Sequence, residues 1–286
     1  MKTGIVTYAY YRFDTAEGAR RIKDHGYDGI DYQGFIDTET ELFAVSEAEF
    51  ERTVRADAAI YRGEGLEIFQ AHGPWRYPPR DAEEADRAER FEKMAKAVRG
   101  CAYLGCENMV IHPLMPYGSH SDAEPERVWS TNLEFMSRLA EVGKEYGVTV
   151  CFENMPFREN PVSKTEHILR MVREVNSDFF KICLDTGHSA VHGESPADAV
   201  RMIGKDLLRT LHVHDNNGER DYHWLPGTGV IDFADFASAL HEIGFEGAVS
   251  LETGISRTEA RDAEDHDQRE RELAAFARRI AENKMN

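Results

Sequence analysis

The chain alternates short apolar stretches with longer amphipathic ones, and eight such pairs follow one another. The stretch Val148–Phe152 is apolar on both faces, which is typical of a strand buried on both sides of a parallel sheet. Such alternation favours a parallel sheet whose strands are connected by helices. We predict strands at about residues 3–8, 28–32, 66–72, 108–112, 148–153, 180–185, 208–214 and 247–252.

The amphipathic stretches carry the start and stop signals of helices. Asp81 and Asp232 stand where N-caps are expected, and Pro196 follows Ser195 as a first-turn proline does. Glycines follow five of the stretches, which is where left-handed cap residues occur. These glycines are Gly26, Gly65, Gly105, Gly147 and Gly244. The predicted helices span about residues 15–25, 46–63, 81–104, 124–146, 163–176, 195–204, 232–243 and 264–282.

Eight strand-and-helix units in 286 residues predict a (β/α)8 TIM barrel that forms a single domain over residues 1–286. Six predicted strands end on a side chain that can bind a metal, at intervals of 40, 41, 32, 27 and 40 residues. A barrel brings the C-terminal ends of all its strands to one mouth, so we expect these side chains to converge and to form the site of an enzyme. They are His72, His112, Glu153, Asp185, His212 and Glu252.

The overall charge narrows the class of partner. With 34 Lys and Arg against 52 Asp and Glu, the net charge is −18, which disfavours electrostatic binding to nucleic acid or to an anionic membrane. The four cysteines are too few and too irregularly spaced for a disulfide framework, so we expect reduced core residues. The N-terminal residues contain no sustained apolar segment and no apolar run of about 18 residues occurs, so we expect a cytoplasmic protein.

Glu153, Asp185, His212 and Glu252 supply three carboxylates and one imidazole. This mixture of oxygen and nitrogen donors suits Mn²⁺, Co²⁺, Mg²⁺ or Zn²⁺. A lone buried acid or histidine is usually a hydrogen-bonded core residue. Four at successive strand ends favour a cation, because a cluster of unpaired carboxylates is costly without one. We therefore predict one divalent metal ion.

Several segments resemble the xylose isomerase-like TIM barrels, a superfamily of sugar phosphate isomerases and epimerases: CFENMP, CLDTGHS, HVHDNNGERDYHWLPGTGVIDF and SLET. The resemblance implies that Glu153, Asp185, His212 and Glu252 bind one metal ion, and that Glu153 and Glu252 are also the catalytic acid and base. It further implies proton transfer α to the carbonyl of a sugar or sugar derivative. A metal that holds the sugar oxygens would stabilise the enediolate that develops.

The same resemblance gives candidate substrate contacts. His188 matches a residue that contacts a substrate hydroxyl, and Glu159 matches a contact of the ketose 3-epimerases. Gly218 stands where those epimerases carry an arginine, which leaves the identity of the sugar open. Further candidates near the mouth are His72, His112, Trp75, Trp224, Asp221 and His223.

Three alternatives remain. A dehydratase or lyase that acts on an inosose or a 3-keto sugar needs the same metal and base. A non-catalytic sugar-binding barrel needs neither. Endonuclease IV, a member of the same superfamily, holds three zinc ions with nine ligands, and this sequence has a candidate for each. The nine are His72, His112, Glu153, Asp185, His188, His212, Asp221, His223 and Glu252.

The sequence also bears on nucleotide cofactors and on self-association. Neither a strand–GxGxxG–helix segment nor GxxxxGK[ST] occurs, so no nucleotide cofactor is expected. Barrels of this class often associate, and a homo-oligomer is compatible with the sequence. We thus expect a small sugar as the partner, rather than nucleic acid or a membrane.

Overall fold

The structure is a computed structural model, and it describes residues 1–76, 81–118, 124–255 and 260–285. Eight parallel strands lie in these residues, in the order β7-β6-β5-β4-β3-β2-β1-β8. They are β1 (Lys2–Val6), β2 (Gly29–Tyr32), β3 (Glu67–His72), β4 (Asn108–Ile111), β5 (Thr149–Glu153), β6 (Phe180–Asp185), β7 (Leu208–His212) and β8 (Ala248–Leu251). Each strand lies beside its neighbours in the chain, as in a (β/α)8 barrel.

The sheet closes between its two ends through the residue that follows β7. Val213 pairs with Leu251 in a parallel bridge. The Val213 amide donates to the Ser250 carbonyl over 2.9 Å, and the Glu252 amide donates to the Val213 carbonyl over 3.1 Å. The molecule is therefore a nearly closed (β/α)8 TIM barrel, and the predicted fold class is confirmed.

Helices alternate with the strands around the barrel. They are α1 (Thr15–His25), α2 (Glu41–Ala44), α3 (Glu47–Gly63), α4 (Glu84–Leu104), α5 (Pro125–Tyr146), α6 (Thr165–Val175), α7 (Thr186–Val191), α8 (Pro196–Ile203), α9 (Phe233–Glu242) and α10 (Ala263–Ala281). The sequence pattern missed the short helices α2 and α7. It also extended the first strand too far, because residues 7 and 8 belong to the 3₁₀ helix Thr7–Tyr10.

The N-caps of two helices agree with the prediction and a third does not. Asp232 accepts from the amides of Ala234 and Asp235, and Ser195 caps α8. Asp81, predicted as an N-cap, lies three residues before α4, whose N-cap is Glu83. The Asp81 carboxylate is fully buried and binds Arg90 over 2.6 Å. Its buried ion pair outweighs the local capping pattern.

The Asp81 carboxylate also connects two loops at the mouth of the barrel. It accepts from Arg76, in the segment that follows β3, over 3.4 Å, and from the Met115 amide, in the segment that follows β4, over 3.2 Å. With Arg90 on α4, three parts of the chain meet at one side chain. Asp81 therefore fixes the loops after two strands that carry candidate site residues.

The inward face of the barrel explains why site residues lie at the strand ends. Successive side chains of a strand point to opposite faces, so residues two apart share a face. Cys151 and Glu153 thus share the inner face of β5, as Cys183 and Asp185 share that of β6. Cys151, Cys183 and Val110 form a small buried cluster. A neutral layer therefore lies beneath the polar ends of the strands.

The large apolar core lies between the barrel and its helices, and it includes Tyr27, Phe50, Phe152, Phe180 and Phe236, each at most 1% exposed. All four cysteines are buried and free, as predicted. Among the helices of the described residues, none combines the length and the apolar character needed to cross a membrane.

Candidate functional site

The four predicted metal ligands meet at the mouth of the barrel. Ligand atoms of Glu153, Asp185, His212 and Glu252 all lie within 4.8 Å of one another. The Nδ1 atom of His212 is 2.8 Å from Glu153 Oε1 and 3.3 Å from Glu252 Oε2. Three of these residues end β5, β6 and β7, and Glu252 directly follows β8. The convergence expected from the strand ends is present.

The charges around this group fit a divalent cation. Among the described residues, every ion pair of Glu153, Asp185 and Glu252 is made with a histidine, and none with lysine or arginine. Within the residues that the structure describes, the buried Glu252 Oε2 atom has no hydrogen-bond partner. Because carboxylates are costly to bury without positive charge, this set of donors fits a divalent ion.

A second group lies on the β3 and β4 side and shares Glu153. His72 Nε2 is 3.1 Å from His112 Nε2, which is 3.0 Å from Glu153 Oε2. The Nδ1 atom of His72 donates to the Gly73 carbonyl over 2.8 Å, which leaves the Nε2 lone pair directed into the site. Burial lowers the pKa of His72 to about 4. The imidazole is therefore neutral, the form that binds metals.

A third group consists of His188, His214, Asp221 and His223. Asp221 Oδ2 lies 3.2 Å from His188 Nε2 and 3.1 Å from His223 Nε2. Each of these two rings directs its Nδ1 at a backbone carbonyl: His188 at Asn154 over 2.7 Å and His223 at Glu252 over 2.7 Å. The backbone thus orients both rings toward one carboxylate.

Glu153 and Glu252 differ in their electrostatic surroundings. Burial alone would raise the pKa of Glu153, but His212 and His112 hold it well below its usual range. Burial raises the pKa of Glu252 to about 7. Opposite shifts within one pair of carboxyl groups are the pattern found where one group acts as a base and the other as an acid.

The sequence prediction missed Asp31, which orients His212. Asp31 lies in β2, is fully buried, and accepts from His212 Nε2 over 2.8 Å. Gln70 donates to the same carboxylate oxygen over 2.8 Å. His212 is thus held between Asp31 and Glu153, one carboxylate at each ring nitrogen. The only sequence signal was a carboxylate within the apolar strand GIDY.

Two residues that support Asp185 were also missed. Asn154 donates to the Asp185 carbonyl over 3.0 Å and accepts from the Asp185 amide over 2.8 Å. His214 Nε2 lies 3.0 Å from Asp185 Oδ2. A Cβ atom at Gly187, the second residue of α7, would overlap the His214 ring. Helix α7 can therefore pass beside His214 only because residue 187 lacks a side chain.

One carboxylate holds the segment PGTG near the site. Asp215 Oδ2 accepts from the Gly227 amide over 3.0 Å and from the Gly229 amide over 2.8 Å. A Cβ atom at Gly229 would overlap Asp215, so the close approach requires glycine there. Asp215 therefore fixes the position of PGTG through two backbone amides.

A family model described as xylose isomerase-like TIM barrel matches residues 19–280 of the 286. The chain belongs to this family. The resemblance seen in the motifs is therefore confirmed at the level of the family.

Related proteins differ in how much of this chain they match. An uncharacterized protein of Methanocaldococcus jannaschii is 32% identical over 183 residues, which is 61% of this chain and 62% of that protein. The fructoselysine 3-epimerase of Shigella flexneri is 23% identical over 256 residues, 88% of this chain and 90% of the epimerase. The inosose isomerase of Bacillus subtilis is 27% identical over 159 residues, 53% of this chain and 55% of the isomerase.

Solved structures with a similar fold confirm the architecture. A D-psicose 3-epimerase in the presence of D-fructose superposes with a TM-score of 0.78 at 20% identity, over 98% of this chain and 99% of the epimerase. A 3-keto-D-glucoside 4-epimerase from E. coli gives a TM-score of 0.74 at 20% identity, over 97% and 99%. At such identities the likeness shows the fold alone.

Two of the predicted substrate contacts, Trp75 and Glu159, do not belong to the three groups of possible metal ligands. The ring centroid of Trp75 is 4.5 Å from that of His112, so Trp75 lies beside the second group. Glu159 lies in an exposed turn, outside all three groups. Arg158, from the same turn, donates to the Gly218 carbonyl over 3.0 Å. A guanidinium thus lies beside the position where the ketose 3-epimerases carry an arginine.

Proposed function

We propose that the protein is a divalent-metal-dependent sugar isomerase or epimerase. The observation that carries the proposal is the group of Glu153, Asp185, His212 and Glu252, in which the glutamate that ends β5 and the glutamate that follows β8 flank one histidine. These four residues would hold one Mn²⁺, Co²⁺, Mg²⁺ or Zn²⁺ ion. The substrate class is a small sugar or sugar derivative with a carbonyl group.

The two glutamates divide the proton transfer between them. Glu153 is held ionised by His212 and His112, so it accepts the proton α to the carbonyl. Glu252 returns a proton to the opposite face in an epimerisation, or to the adjacent carbon in an isomerisation. When bound, the metal supplies a Lewis acid that stabilises negative charge on the sugar oxygens.

Other side chains of the site orient these groups. Asp31 holds the ring of His212, and Asn154 holds the backbone of Asp185. The ring of His188 is held by the Asn154 carbonyl at Nδ1 and by Asp221 at Nε2, and His188 would contact a substrate hydroxyl. The reactions catalysed by the related fructoselysine 3-epimerase and inosose isomerase support the reaction class.

The proposal is tested by metal analysis together with solvent-deuterium exchange into a panel of ketoses and keto-inositols. We expect about one Mn, Co, Mg or Zn per chain and deuterium at the carbon next to the carbonyl. Mass analysis of the product separates the dehydratase or lyase from the epimerase, because only the former changes the mass. A metal-free protein that exchanges no sugar would contradict the proposal and favour a binding barrel.

A second candidate function is favoured by one observation. The three groups lie at one mouth, the first two share Glu153, and together they include all nine residues that match the ligands of endonuclease IV. A three-zinc hydrolase of abasic-site DNA is therefore the rival. About three Zn per chain and salt-sensitive cleavage of abasic DNA would support it. The net charge of −18 argues against this substrate.

A further inference from the structure

A cleft of about 1520 Å³ opens beside the proposed catalytic glutamate. Its walls come from the segments after β1, β2, β7 and β8 and from helices such as α3, and they include Glu252 and His223. Pockets for small ligands usually measure about 300–1,000 Å³. The cleft therefore offers room for more than one monosaccharide. The additional space adjoins Glu252.

Exposed aromatic side chains are concentrated in this cleft. Tyr8 is 67% exposed, Tyr11 77%, Tyr222 44% and Trp224 38%, and among the described residues these are all of the large exposed aromatics. All four line the cleft. Because exposed aromatic surface forfeits hydrophobic stabilisation, its concentration at one place indicates a site for a ligand.

The four rings form two preformed flat surfaces. Tyr8 and Tyr11 stack with their centroids 5.6 Å apart and 15° between their planes. Tyr222 and Trp224 stack at 5.2 Å and 13°. The backbone fixes both pairs: the Tyr11 amide donates to the Tyr8 carbonyl over 3.1 Å, and Trp224 pairs with Asp215 in an antiparallel bridge. A ligand ring would meet surfaces that are already ordered.

The polar residues that line the cleft indicate which class of flat ligand fits it. Thr7, Gln33, Asp14 and Thr228 line the same walls as the aromatic pairs. A sugar ring has apolar C–H faces that stack on aromatic rings and hydroxyl groups at its edge that hydrogen-bond to such residues. A nucleobase could also stack, but the walls carry the carboxylates of Asp14 and Asp57 beside the guanidinium groups of Arg12 and Arg269, so they do not form the uniformly basic surface that favours nucleic acid.

We propose that the substrate is a keto sugar that carries a second sugar ring in glycosidic linkage, and that the cleft binds this second ring. The reacting sugar lies at Glu252, and the second ring contacts both aromatic pairs of the cleft, Tyr8 with Tyr11 and Trp224 with Tyr222. This inference rests on the proposed function, because it places the reacting carbon beside Glu252.

The test compares D-fructose with isomaltulose, in which fructose carries a glucose ring. Solvent-deuterium exchange gives kcat/KM for each sugar in the wild type and in the variants Tyr8→Ala and Trp224→Ala. We expect the wild type to favour isomaltulose at least tenfold, and each variant to lower that ratio several-fold. Trp129→Ala is the control, since Trp129 lies on α5, outside the cleft, and binds Glu174. It should leave the ratio unchanged.

A second readout does not require turnover. Saturable quenching of tryptophan fluorescence by isomaltulose, absent with fructose and lost in Trp224→Phe, would support the cleft as a sugar site even if neither sugar is exchanged. If deuterium enters neither sugar, that result contradicts the proposed function but not the second sugar site. Equal kcat/KM for the two sugars, or the absence of quenching that depends on Trp224, would overturn the inference about the second ring.

Discussion

Two regions of this barrel bury carboxylates, and they neutralise them differently. The Asp81 carboxylate is met by the guanidinium groups of Arg90 and Arg76 and by the Met115 amide. At the mouth of the barrel, Glu153, Asp185 and Glu252 are met only by histidines among the described residues. Arginine carries a permanent charge, whereas the charge of an imidazole depends on its protonation. The negative charge of Asp81 is thus neutralised within the protein, whereas the carboxylates at the mouth can accept a metal cation.

The difference separates a structural carboxylate from a functional one. Asp81 lies beside the same two loops as the second histidine group, and it is buried as deeply as Glu153. Burial alone therefore does not distinguish the two roles. The identity of the partner does, since the permanent charge of arginine neutralises a carboxylate, whereas histidines leave it able to bind a metal ion. Each of the following predictions tests one side of this comparison.

The largest effect is expected when a carboxylate at the mouth loses its charge. Glu252→Gln removes a proposed acid–base group and a proposed ligand, so kcat should fall by about 10²–10⁴-fold while the fold remains. Deuterium exchange measures the loss, and circular dichroism checks the fold. Glu246→Gln is the control, because Glu246 is exposed before β8 and pairs with Lys205. Full activity of Glu252→Gln would remove the assignment.

The structural carboxylate should instead report on stability. Asp81→Ala leaves Arg90 buried without its partner, which should lower the free energy of unfolding by about 3–5 kcal/mol. Urea denaturation measures this change. The nearby Glu83→Ala, at an N-cap position without a side-chain cap bond, should change it by less than about 0.5 kcal/mol. A small effect at Asp81 would mean that the ion pair does not hold the two loops.

Asp31 tests whether the site depends on carboxylates that do not bind the metal themselves. Asp31→Asn weakens the acceptor at His212 Nε2, so metal affinity and kcat should each fall by about 10–100-fold. Metal titration by calorimetry measures the affinity. Asp24→Asn, at an exposed position of α1, is the matched control. Unchanged metal affinity with reduced stability would make Asp31 a purely structural residue.

Glu270 represents a third way to bury a carboxyl group, namely to raise its pKa so that it holds a proton at mildly acidic pH. It lies on α10, accepts from the Ile255 amide over 2.9 Å and contacts Tyr10, while His25, Asp267, Arg12 and His266 surround the cluster. Burial raises the pKa of Glu270 to about 7. The folded state then keeps a proton that the unfolded state releases above about pH 4.5.

The stability of the wild type should therefore fall between about pH 4.5 and 7, by up to ~1.4 kcal/mol per pH unit, relative to Glu270→Gln. Below that window the carboxyl group is protonated in both states, so the difference between the two proteins is constant. Urea denaturation of both proteins across this range measures the difference, in which the other titrating groups largely cancel. The same pH dependence in both would show that Glu270 does not titrate in this window.

The sequence predicted the residues that depend on local pattern. Glu153, Asp185 and His212 end strands whose apolar runs are visible in the chain, and the barrel fold brings such ends together. Asp31 was missed because its partner His212 lies 181 residues away. Asp81 was assigned as a cap because its pairing with Arg90 depends on packing that a local pattern does not contain. The aromatic cleft depends on exposure, which only the folded chain reveals.

The contact between Gly187 and the ring of His214 limits how this enzyme can be altered. Any side chain at residue 187 would push α7 away from His214, and with it Asp185, which caps that helix. A library designed to change sugar preference should therefore leave this wall intact. Diversity placed at Tyr8, Tyr11 and Tyr222 would vary the rim without moving the strand ends. The mouth of the barrel thus has a wall around Gly187 that tolerates no substitution and an aromatic rim that does.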